Sequence, residues 1–130
     1  MKGLELIQTY PAAGKIVKEW FFKSMLESFK DDTVPDEFKE YMLEQGIEDD
    51  KIGTLIDINP RMLFDVFDDN EVFIFIHYMD VKDNVKFFYS FRNIDTNPVK
   101  SFKTRKEAEL YAIESAFEML ENNLSPKVEE

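Results

Sequence analysis

Cysteine is absent from the chain and histidine occurs once, as His77. The first absence removes disulfide frameworks, thiolate metal sites and cysteine nucleophiles. The second removes zinc sites built from several histidines, and any relay of histidines. A serine–histidine pair survives the count, but no G-x-S-x-G or similar elbow surrounds any serine. No stretch comes near the roughly 18 consecutive apolar residues of a membrane span, so no membrane partner is expected. The opening residues, MKGLELIQTYPAAGK, lack the long apolar run and small-residue cleavage site of a signal peptide. The expected compartment is therefore the cytoplasm.

What the chain does contain is apolar bulk. Of its 130 residues 44% are hydrophobic and 15% aromatic, with 13 phenylalanines, which is enough for one domain with a real core. A single α+β domain is expected over 1–124, with 125–130 as a flexible tail. The net charge of −11 opposes non-specific binding to a polyanion. That charge is uneven. From Glu27 to Glu71 there are 15 acidic and 4 basic residues, whereas from Lys82 to Lys106 there are 7 basic and 2 acidic ones. The acidic run reads as solvated helix faces that keep the chain soluble, or as a surface for a basic partner.

Periodicity sets the order of elements. Leu4 to Thr9 makes one or two helical turns, and Pro11 fits a first helical position, where its missing N–H costs nothing. In PAAGKIVKEWFFKSMLESFK, Ile16, Val17, Trp20, Phe21, Met25 and Phe29 fall near one side, with Phe22 and Leu26 widening the stripe. PDEFKEYMLEQG restarts a helix with Pro35 in its first turn, Phe38, Met42 and Tyr41 facing inward, and Gly46 as its stop. IEDDKIGTLIDI reads as a weaker helix carrying Ile52, Leu55 and Ile56. Residues 60–68 are ambiguous, because Met62, Phe64 and Val66 also alternate like a strand. Asn59 as cap and Pro60 as first residue favour a short helix.

Two strands follow, 71–80 and 85–93, with VKDN as the hairpin loop. Val72, Ile74, Ile76 and Tyr78 share one face of the first, while Phe73, Phe75, His77 and Met79 share the other. In the second, the face with Lys86, Phe88, Ser90 and Arg92 is the one expected to meet water. VKSFK reads as a short third strand at an edge, where its lysines discourage further pairing. TRKE is a capping box that opens a last helix over 104–123, with Ala108, Ala112, Ala116 and Met119 on one face and Ile113, Phe117, Leu120 and Leu124 beside them. The expected fold class is α+β: N-terminal helices, a three-stranded antiparallel sheet, and a long C-terminal helix packed on it. Such a sheet is apolar on nearly both faces. It must be covered on both, by helices or a partner, or by forming a homodimer.

The candidate sites are few. His77 lies mid-strand without a positioned partner or cleft, so a structural role is expected. Asp65, Asp68, Asp69 and Glu71, and likewise Asp80, Asp83 and Asn84, do not match a calcium loop. No metal, cofactor or catalytic residue is therefore expected. Lys100, Lys103, Arg105 and Lys106 crowd the start of the last helix, where a helix N-terminus with flanking cations suits a phosphate. They are the candidate partner-binding residues.

Two resemblances carry further expectations. The run 71–124, and KSFKTRKEAELYAIESAFEML within it, is similar in topology to the β-β-β-α part of a double-stranded-RNA-binding domain, with Arg105 and Lys106 near that domain's phosphate-binding lysines. It departs from the pattern at Glu109, where the family would have another basic residue, and in the VKDN loop, which lacks the minor-groove contact. Through LIQTYPAAGKIVKEWFFKSMLES, GIEDDKIGTLIDINPRMLFDVFD and TRKEAELYAIESAFEML, the chain resembles short uncharacterised proteins encoded by phages and mobile elements of gut bacteria. That resemblance implies a small accessory protein of unknown role, and the expected function is that of a non-enzymatic interaction protein that binds a protein partner. The alternative is a nucleic-acid-associated protein, which the net charge disfavours.

Overall fold

The computed structural model describes residues 2–28, 35–92 and 100–124. Among them the order is α1 (Gly3–Thr9), α2 (Pro11–Ser28), α3 (Asp36–Gln45), α4 (Asp49–Ile58), a 3₁₀ turn (Pro60–Met62) that runs into α5 (Leu63–Asp69), strands β1 (Ile74–Val81) and β2 (Asn84–Phe91), and α6 (Arg105–Leu124). The α+β class with N-terminal helices and a closing helix is as expected.

Pro11 opens α2, and the backbone donors its first turn leaves over are satisfied from far along the chain. The Glu121 carboxylate accepts from the N–H groups of Ala12 at 3.3 Å and Ala13 at 2.7 Å. An acid at a helix N-terminus also faces the positive end of the helix dipole. The chain's two ends are joined there. Helices α1 and α4 cross at two glycines. A Cβ on Gly53 would stand 2.7 Å from the Leu4 nitrogen, and one on Gly3 would stand 2.5 Å from the Gly53 carbonyl oxygen. Only hydrogen fits at either position.

The ambiguous 60–68 stretch is helical. Pro60 sits in the first turn as expected, although the Asn59 side chain makes no capping bond. The hairpin is tighter than expected. Lys82 and Asp83 have φ of 49° and 67°, so both central residues are left-handed, as a two-residue type I′ turn requires. The first strand also starts later than 71, because Glu71 takes φ 62° in the turn that ends α5. The described part of 85–93 pairs from Asn84 to Phe91 in the register Ile74↔Phe91 to Val81↔Asn84.

The expected third strand is absent among the described residues: the sheet is β1–β2 alone. Of the described residues 100–103 of VKSFK only Phe102 pairs, bonding Phe87 in both directions at 2.9 Å. The reason lies in the next element. Thr104 accepts from the Glu107 N–H at 3.2 Å, so the chain turns into α6 two residues after Phe102. No room remains for a ladder to continue past Phe102.

Helix α6 is the wall between the two halves. Ala108, Ala112 and Ala116 are fully buried, with Ile113, Phe117 and Leu120 beside them. Toward the sheet, the hydroxyls of Ser115 and Tyr89 are 2.9 Å apart, and the rings of Tyr111 and Phe102 are 4.9 Å apart. Toward the helices, Phe117 meets Phe67 edge-on at 5.4 Å and Tyr10 at 6.2 Å. Val17, Phe21, Ile52, Ile56, Leu63 and Val66 complete the core. Four expected core positions differ. Phe38 and Tyr41 on α3 remain about half exposed, as does Leu55 on α4. Leu124 is also exposed, at the fraying end of α6. The sequence positions Phe29 and 125–130 lie outside the described residues.

Two substitutions test this packing. Ala112→Glu buries an unpaired carboxylate against the sheet and is expected to cost several kcal/mol, roughly the scale of an uncompensated buried charge. Gly53→Ala drives a methyl into the α1 backbone and is expected to cost about 1–3 kcal/mol. Chemical denaturation of each variant reads both numbers. An unchanged melting point in either would contradict the placement of that helix.

Candidate functional site

Side chains of the hairpin alternate between two faces. Ile74, Ile76, Tyr89 and Phe91 turn toward α6, and none of the four is freely exposed. The outer face carries Phe73, Phe75, His77 and Met79 from β1, and Lys86, Phe88, Ser90 and Arg92 from β2. Phe75 is 46% exposed and Met79 55%, and no described helix packs over them. The hairpin also outruns α6, so that Tyr78 is 69% exposed on the inner face near the tip. Arg92 extends over the Phe73 ring, 5.5 Å from its centroid, and His77 lies along the Phe75 ring at 6.4 Å. The result is an aromatic patch with cationic edges on an acidic protein.

His77 is on this face, as a half-exposed strand histidine would be. Its Nε2 lies 2.7 Å from the Ser90 hydroxyl. A serine beside an imidazole raises nucleophilic chemistry as a possibility, and the geometry argues against it. Both residues stand on an open strand face. Ser90 and Phe75 are directly opposite at a hydrogen-bonded ladder position, so the Ser90 backbone N–H is committed to the sheet and is not available to stabilise an oxyanion. The pair reads as a cross-strand hydrogen bond.

The structure separates the four basic candidates. Lys100 sits over the Tyr111 ring at 4.4 Å and the Phe102 ring at 5.6 Å. Arg105 and Lys106 begin α6, about a third of a turn or more around the helix from Tyr111. They line two different grooves that flank Glu109. One groove, of about 180 Å³, joins Lys106 to Asn59, Pro60 and Leu110. The other, of about 390 Å³, joins Arg105 to Phe64, Ile74 and Ile76. Lys103 is exposed.

Glu109 and Arg61 border both grooves, and their pairing was not readable from sequence. Arg61 Nε donates to one Glu109 carboxylate oxygen at 2.8 Å and Nη2 donates to the other at 2.9 Å. Glu109 is buried while Arg61 is mostly exposed. The hydrogen-bonded carboxylate holds the guanidinium above its ordinary pKa. Of the acids considered for calcium, no group of three or more ligands converges among the described residues. Asp68 instead has its pKa raised, first by desolvation and then by the charges of Asp65 and Asp69. It also stands in the last turn of α5, the negative end of that dipole. A second apolar groove, of about 470 Å³, lies between Met25, Ile47 and Leu55, with Asp50, Lys51 and Thr54 on its rim.

No protein-family model, no curated protein and no solved structure matches this chain.

Two variants probe these groups. His77→Gln keeps a hydrogen-bonding side chain beside Ser90, and is expected to change stability by less than about 1 kcal/mol. A larger loss in thermal melts would mean that His77 carries more than one cross-strand bond. A raised carboxyl pKa in the fold means that ionisation opposes folding, so the contribution of Asp68 is present at low pH and lost as pH rises through its folded value. Asp68→Asn is therefore expected to raise the melting temperature at pH 7, with the gain vanishing below about pH 3.5, under the ordinary carboxyl range. A gain independent of pH would assign the effect to something other than charge.

Proposed function

We propose that this protein works by binding another protein, without chemistry of its own, and that the outer face of the hairpin is the contact surface. Such a role fits an accessory protein of the phage and mobile-element kind. The observation that carries the reading is the outer aromatic face: Phe75 and Met79 are exposed beside half-buried Phe73 and Phe88, with Lys86 and Arg92 at the margins and no described helix over them. Contiguous exposed apolar residues with a polar rim mark interaction surfaces, and aromatic residues with arginine dominate the energy of such contacts. The cationic margin favours a partner with an apolar centre and acidic surroundings. The protein's own acidic helices stand apart from this face and keep the molecule soluble.

Nucleic acid is the weaker reading. Lys100, Lys103, Arg105 and Lys106 do not form one stripe. Where the double-stranded-RNA-binding pattern has a basic residue, Glu109 is clamped by Arg61. The overall charge of −11 repels a polyanion outside a Debye length of about 8–10 Å.

Two experiments test the proposal. Affinity capture from the cells of origin, with wild type and Phe75→Ser, should enrich a protein with the first and lose it with the second. An enriched protein indifferent to Phe75→Ser would place the contact elsewhere. Fluorescence anisotropy with labelled duplexes should show binding no tighter than about 10⁻⁵ M at physiological salt. Sub-micromolar binding abolished by Lys103→Glu, Arg105→Glu and Lys106→Glu together would favour the nucleic-acid reading instead.

A further inference from the structure

Two observations converge on the free edge of β1. Residues 73 and 92 are bonded across the hairpin, and Phe87 points both its backbone groups away from β1 to Phe102. In an antiparallel ladder these alternate. The register then makes Phe75, His77 and Met79 the β1 residues that bond β2, and turns the backbone groups of Ile74, Ile76, Tyr78 and Asp80 outward. No second strand pairs with them among the described residues. Natural edge strands are guarded by lysine, proline, a bulge or short length. Strand β1, IFIHYMDV, has eight residues, no lysine or proline, an unbroken register and one charge. The opposite edge of the hairpin is met by Phe102.

The second observation is the groove beside the base of that edge. It is lined by Arg61 and Arg105 with Ile74, Ile76 and Glu109; Glu109 is already met by Arg61, which remains largely exposed despite that pairing, and Arg105 adds a second positive charge. We propose that two copies of this chain pair antiparallel along β1, about a two-fold axis at His77, with Asp80 of the partner subunit directed to the Arg61–Arg105 groove. This register sets Ile76 opposite the partner's Tyr78 and Phe75 opposite the partner's Met79. Each of the three most exposed apolar side chains of β1 thereby gains an apolar cross-strand neighbour. The one mismatch, Ile74 opposite the partner's Asp80, falls where the arginines are. Shifting by two residues either way puts Phe75 or Met79 against a histidine, and one of the two shifts also carries Asp80 past the groove to Val72. Charge also permits the approach. The hairpin has Lys82, Lys86 and Arg92 against Asp80 and Asp83, so two copies meet at a nearly neutral element although each carries −11. A two-fold contact is closed, and the pairing stops at the dimer.

The inference shares with the proposed function an accessible hairpin and two side chains of its outer face, Phe75 and Met79. The partner face lies across the sheet, whereas this contact runs along its edge.

The test is sedimentation velocity between about 5 and 500 µM, a range suited to a contact of modest area. Wild type is expected to shift from monomer to dimer. Asp80→Lys and Arg105→Glu should each weaken the dimer, about tenfold or more, and the double variant should restore it. Neither position is buried, so circular dichroism should show both single variants folded. Because the chain has no cysteine, single cysteines give a clean register. Paired His77→Cys positions would stand about 4.5 Å apart between Cα atoms, within disulfide range. Paired Met79→Cys positions would be about 13 Å apart along the strand. Mild oxidation should therefore cross-link the first and spare the second. Monomer throughout the range, no rescue in the double variant, or equal cross-linking at both positions would each overturn the proposal. A monomer that still captures a partner through Phe75 would do so while leaving the proposed function standing. Dimerisation with no captured protein would do the reverse.

Discussion

Everything in this fold leans on α6. Its alanine stripe at 108, 112 and 116 and its Ile113–Phe117–Leu120 ridge put one helix between two bodies that have little other contact. Phe117 fixes the helical side through Phe67 and Tyr10, while Ser115 and Tyr111 fix the hairpin through Tyr89 and Phe102. Glu121 then ties the far end of α6 to the first turn of α2. A two-stranded hairpin is marginal by itself, so β1 and β2 exist as ordered strands because α6 gives one of their faces something to bury.

One helix can cover only one face of a sheet. That constraint turns a packing fact into a functional one. The hairpin has apolar side chains on both faces, and helices α1, α2 and α4 are occupied with one another and with α6. Among the described residues Phe75 and Met79 are left to solvent, next to Lys86 and Arg92. A protein with generous apolar material elsewhere has no need to expose Phe75 and Met79 for its own stability, and their exposure is the strongest reason to read the hairpin as a surface for association.

Local signals were legible in the sequence and distant ones were not. The Thr104–Glu107 cap, Pro11 and Pro60 at helix starts, and the alternation of the hairpin are properties of neighbouring residues, and each appears in the structure. Asn59 misled in part, because its side chain leaves the cap unmade. VKSFK misled because a strand-like pattern of five residues says nothing about the helix cap that cuts it short. Phe38 and Tyr41 have the right spacing for a buried stripe, but burial needs a facing element, and periodicity does not supply one. The Gly3–Gly53 crossing and the Arg61–Glu109 clamp depend on residues about fifty positions apart, and a single sequence does not pair them. The clamp also stands between two of the basic residues at 100–106: the grooves that Arg105 and Lys106 line flank the same buried acid.

The central claim is that none of the described residues covers Phe75 and Met79 on the outer hairpin face. Methyl NMR with a soluble paramagnetic agent measures this directly, at a concentration where the protein is monomeric. The Met79 methyl should broaden as strongly as a fully solvated methionine, while Met119, packed against the core, should broaden much less. A Met79 signal as protected as that of Met119 in the monomer would mean that the chain covers the face itself, and the reading of the hairpin as a binding surface would fail.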